Sequence, residues 1–83
     1  MISCSQYDYI EIACLYRLPV ALTLQDGSVI QGTAKDTGRN AARQECIIVE
    51  DNSREHWIET AALVRMQALS DNPHFSDIHF QQQ

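Results

Sequence analysis

No run of this sequence reaches the roughly 18 apolar residues of a membrane-crossing helix, because Arg17 and then Gln25 and Asp26 break the only apolar stretch near the start. Nor does a basic segment lead into a clean apolar one, so Met1–Ala21 makes a poor signal peptide and the cytoplasm is the expected compartment. Cysteine is sparse and odd in number. Cys4, Cys14 and Cys46 cannot all pair within one chain and lack the close paired spacing of a structural zinc site, so reduced thiols and no metal are expected. Glycine occurs three times, each time alone, which leaves no phosphate-cradling loop. Positive charge is short as well: six Lys and Arg face eleven Asp and Glu, a net charge of −5. The molecule as a whole is repelled by a phosphate backbone and drawn to basic surfaces. Its 83 residues allow one small domain, and a 45% hydrophobic content suits a folded chain.

The first element is a helix over about 6–17. Tyr7, Ile10, Cys14 and Leu18 recur at helical offsets, and either Ser5 or Asp8 can cap, with Asp8 or Glu11 three residues on. Pro19 ends it. From Val20 the period is two, and Asp26-Gly27 is a strong hairpin signal. A two-residue loop would set Leu24 opposite Val29. A three-residue loop Asp26-Gly27-Ser28 sets Leu24 opposite Ile30, Leu22 opposite Gly32 and Val20 opposite Ala34; this register is preferred, with Gly32 permitting curvature. The second strand is expected to end near Asp36-Thr37-Gly38, before a polar loop containing Arg39 and Arg43. Cys46-Ile47-Ile48-Val49, bounded by Glu45 and Glu50, has the pattern of a central strand, and two more strands follow before Leu69. Ser70–Gln83 is expected to form a loose polar tail in which Phe75, Ile78 and Phe80 can dock locally. The expected architecture is mainly β: a small five-stranded antiparallel barrel of SH3-like or Sm-like type over about 20–69, preceded by the helix, with the domain ending at 69.

Catalysis finds little support. Asp8 and Glu11 are explained by helix capping, and no spacing brings His56 to Cys46 as a base to a nucleophile. No catalytic residue is assigned. His74 and His79 follow no paired-cysteine motif. Two binding surfaces remain. Lys35, Arg39 and Arg43 could contact RNA, against the sign of the net charge. Tyr7, Asp8 and Glu11, with no basic residue before Arg17, form an acidic aromatic face suited to a site lined with Arg or Lys.

Cys4-Ser5-Gln6-Tyr7-Asp8-Tyr9-Ile10-Glu11-Ile12-Ala13-Cys14, followed by Val20-Ala21-Leu22-Thr23-Leu24-Gln25-Asp26-Gly27 and Ile47-Ile48-Val49-Glu50, resembles the Rho-binding antiterminator family, Rof. The resemblance runs from Cys4 to about Leu69. It implies an Sm-like barrel behind a helix, no enzymatic activity, no cofactor, and a monomer when free. Its partner would be the N-terminal domain of the hexameric Rho termination helicase, whose primary RNA-binding site it would obstruct. Tyr7, Asp8 and Glu11 match the family's helix pattern and become the partner-binding candidates; Cys4, Ala13 and Cys14 would support the helix. Ser5 and Gln6 stand where the family often carries acids. An RNA-binding module using Lys35, Arg39 and Arg43 is the alternative.

Overall fold

The structure is a computed structural model that describes residues 2–82. Helix α1 spans Cys4–Leu15. Its cap is Ser3, whose Oγ accepts the Gln6 amide at 3.3 Å, so the helix starts and stops about two residues earlier than the periodicity suggested. Neither Ser5 nor Asp8 caps. At the other end the Leu18 amide donates to the Ala13 carbonyl and the Arg17 amide to that of Cys14, a Schellman closure that places Arg17 at φ 50°. Ile10 and Ala13 are completely buried, with Tyr7, Tyr9 and Cys14 packed at the margin of the core.

Six strands follow: β1 Pro19–Leu24, β2 Val29–Arg39, β3 Glu45–Asp51, β4 Arg54–Glu59, β5 Leu63–Ala68 and β6 Asp77–His79. They form one antiparallel sheet in the order β4-β3-β2-β1-β5-β6. The expected closed five-stranded barrel is therefore wrong: the sheet is open, with β4 and β6 as its edges. The physical reason lies at β5, whose second edge is taken by β6, so β4 finds nothing to close on. A single 3₁₀ turn, Thr60–Ala62, carries the chain from β4 to β5.

The first hairpin uses a different register from the preferred one. Leu22 faces Ile30 and Val20 faces Gly32, because the turn comes one residue earlier. Gly27 donates to the Leu24 carbonyl and Leu24 to that of Ser28, so the loop is Gln25-Asp26-Gly27 with Gly27 at φ 88°. Asp26 then receives both the amide and the hydroxyl of Ser28, at 2.9 and 2.6 Å. Strand β2 continues past Gly38 to Arg39. Its first half pairs with β1 and its second with β3, with an irregularity between Ala34 and Asp36 that lets one strand serve both neighbours. Asn52 and Ser53, both at positive φ, make the two-residue turn between β3 and β4.

Residues 70–82 differ from the loose tail that composition suggested for 70–83, of which residue 83 lies outside the described residues. Phe75 and Phe80 are buried in the main core, and Tyr9 meets Phe75 edge to face. The Arg65 guanidinium grips both carboxylate oxygens of Asp77, at 2.9 and 2.6 Å. Gln6 donates to the His79 carbonyl and accepts from the Gln81 amide. A glutamate at that position could not make the first of these bonds, which accounts for an amide there.

Candidate partner-binding surface

Tyr7, Asp8 and Glu11 come together as expected. With Ile2, Cys4 and Glu45 they line a depression of about 460 Å³. The helix brings Tyr7 and Glu11 to one side at the four-residue spacing, with Asp8 one step round and three residues from Glu11. Asp8 and Glu11 are exposed. Because Ser3 is the cap, neither acid owes its place to helix capping, and among the described residues neither joins an ion pair. Tyr7 is half-buried. Burial pushes its phenol pKa up, as do the charge of Glu45 and, more weakly, Glu11 and Cys14, while Thr37 alongside pulls the other way. The hydroxyl therefore remains a neutral donor beside the acids.

Glu45 escaped the sequence reading. Nothing local relates position 45 to position 7; the two meet because Glu45 opens β3 opposite Arg39, at the end of the strand on which α1 packs.

The basic trio does not form one patch. Lys35 is held by Glu50 at 3.5 Å and Glu55 at 3.3 Å. Arg39 donates to Glu45 at 3.1 Å and to the Arg43 carbonyl at 3.0 Å. Arg39 and Arg43 line a second depression of about 350 Å³ that shares Ile2, Tyr7 and Glu45 with the first. Two of the three cations are thus matched by carboxylates of the chain itself, and Arg39 holds Glu45 next to the acidic face.

The remaining candidates separate. Cys46 is buried, its thiol pKa raised by that burial, and it lies opposite Glu59; His56 lies opposite Val49, on the other face of the sheet. No nucleophile and base meet there. Burial pushes the Cys14 thiol up to about 11, with Asp36 and Glu11 adding to the effect. His74 stacks on Tyr16 at 4.4 Å, and His79 sits 3.4 Å from Asp77. Among the described residues no three His, Cys, Asp or Glu side chains gather as a metal site would require, and no helix is long and apolar enough to cross a membrane.

A family profile described as "Modulator of Rho-dependent transcription termination (ROF)" matches residues 1–80. Among solved structures, the chain is similar to YaeO bound to magnesium from Vibrio cholerae O395. The two are 52% identical over 90% of this chain and 97% of that one, with a TM-score of 0.87. No curated protein matched.

Proposed function

The chain belongs to the ROF family of modulators of Rho-dependent transcription termination, a non-enzymatic, Rho-binding antiterminator, and from that membership we propose that its Tyr7/Asp8/Glu11 face docks on the RNA-binding surface of Rho's N-terminal domain. The observation that carries this reading is the state of the two acids. Asp8 and Glu11 are exposed, uncapping and without an ion pair among the described residues. Like charges one helical turn apart cost an isolated helix about 0.2–0.5 kcal/mol, so their place is better explained by a partner than by the fold. On a surface that captures RNA through basic and aromatic groups, carboxylates take the place of phosphates and the Tyr7 ring the place of a base. Glu45, held by Arg39, adds a third carboxylate. The action is competitive: bound protein and RNA cannot share the surface. Rho acts in the cytoplasm, so the chain is assigned there.

The test is binding to purified Rho, and termination in vitro, with folded Asp8→Lys/Glu11→Lys protein. The swap replaces attraction with repulsion and should weaken binding by at least about 2 kcal/mol, roughly thirtyfold. Because Ser3 supplies the cap, the helix should survive the change. Arg39→Glu/Arg43→Glu, checked for folding because Arg39 holds Glu45, should still bind Rho. Full inhibition by the lysine variant, with loss confined to the arginine variant, would reject the site and favour the RNA-binding alternative.

A further inference from the structure

The sheet has a second exposed feature, away from α1. Strand β4 is an edge, and Trp57 at its middle is 48% exposed. The ring is supported from below: Ile48 lies opposite it, and a Cβ built on Gly38 would come within 3.0 Å of the ring, so the indole lies over the bare Gly38 backbone. Period-two alternation puts Glu55 and Glu59 on the same face, one on each side of Trp57. Glu55 meets Lys35 at 3.3 Å and Glu59 receives the Asn40 amide at 3.0 Å; both remain exposed.

We propose that the β4 edge is a docking site for an extended, arginine-bearing protein segment, which adds to the sheet as a further strand and stacks a guanidinium on Trp57 between Glu55 and Glu59. Three features converge on that occupant. Among the described residues no strand neighbours the outer edge of β4, so its backbone groups are open to strand addition. An indole face attracts a cation, arginine above all. The flanking carboxylates supply the complementary charge at the spacing of alternate strand residues. Glutamates on an edge ordinarily discourage pairing, and they do so here against a second copy, which would bring Glu55 and Glu59 against each other. They do not oppose a basic strand. Glu50, Glu55 and Glu59 outnumber Lys35, which Glu50 and Glu55 share, so the face keeps a net negative charge that repels phosphate-bearing chains.

Trp57 is the only tryptophan, so its emission reports this site directly. The probe is a capped, fluorescein-labelled peptide alternating valine with arginine, long enough to span β4. It should shift Trp57 emission saturably and slow amide exchange along β4, whereas the same peptide with glutamate for arginine should do neither. By anisotropy, Glu55→Lys/Glu59→Lys should weaken binding about tenfold or more, and Trp57→Ala roughly fivefold. Asp8→Lys/Glu11→Lys should bind within about twofold of the unaltered protein, which keeps this site distinct from the Rho-facing helix. Each of the following would overturn the proposal: no saturable change, equal binding of the glutamate peptide, binding lost in the helix variant but kept in the β4 variant, or protein-concentration-dependent self-association that shifts Trp57 without peptide. Saturation of the same emission by oligouridylate would do so too. Should a variant fail to fold, the two peptides on the unaltered protein still decide the question.

Discussion

Replacing Gly32 by alanine tests the way β2 is shared between two partners. Gly32 lies opposite Val20 of β1, one residue before Thr33 meets Glu50 of β3. A Cβ there would stand 2.7 Å from the Glu50 carbonyl oxygen and 3.2 Å from its carbon. The obstacle is main chain, so no rotamer relieves it and β2 and β3 must separate. Overpacking of this kind costs about 1–3 kcal/mol. Alanine returns roughly 0.5–1 kcal/mol by restricting the unfolded chain. The net loss is then centred on about 1.25 kcal/mol and reaches about 2.5 kcal/mol at most, which at 4–8 °C per kcal/mol for a domain of this size lowers Tm by roughly 5–10 °C at the central value. Thermal and urea unfolding followed by circular dichroism measure it. Gly38→Ala is the control: its Cβ would come 3.0 Å from a Trp57 ring that is half exposed and can swing aside, so its change should be the smaller. A second control, Gly32→Ala with Glu50→Ala, should not restore stability, because the clash is with a backbone oxygen. Were Gly32→Ala to melt at or above the unaltered protein, the close approach of β2 and β3 would be refuted.

Removing residues 70–83 should leave a chain that is unfolded or only loosely packed at 37 °C. Phe75 and Phe80 together contribute roughly 3–6 kcal/mol of burial, comparable with the whole stability of a small domain; a melt like that of the full chain would refute this. Alkylation at pH 7.5 should label exposed Cys4 quickly, half-buried Cys14 much more slowly because its raised pKa leaves little thiolate, and buried Cys46 only after denaturant, as read by mass spectrometry. The Cys14 thiol rises from 9.0 to about 11 on folding, so the native state holds its proton more tightly. That contribution is complete below pH 9 and is lost as pH climbs towards 11, which a urea series across this range should show. Arg17→Gly relieves a left-handed residue at the helix end, and Tm should rise by a few degrees, about 0.5 kcal/mol after the entropy of glycine is subtracted.

Local patterns in the sequence carried most of the element order. Period two through Val20, Leu22 and Leu24, the glycine-bearing turn, the guarded run Cys46–Val49 and the proline after the helix are all short-range signals, and each element formed where they stand. The acidic face was legible for the same reason, since residues three and four apart on a helix are neighbours whatever the rest of the chain does. The motif from Cys4 to Cys14 carried the family. Register and closure were another matter. Asp26-Gly27 marks the turn but not its first residue: the preferred loop ran from Asp26 to Ser28, whereas the chain turns from Gln25 to Gly27, with Asp26 accepting from Ser28. An open sheet rather than a barrel depended on a three-residue strand near the end of the chain, in a segment whose polar composition hides two phenylalanines that fill the core. Glu45 beside Tyr7, Trp57 over Gly38 and the carboxylates on Lys35 and Arg39 join positions 15 or more residues apart in every case but Arg39 with Glu45. Such contacts are made by packing the elements together, and side-chain periodicity along one strand or helix holds no record of which other strand it will meet.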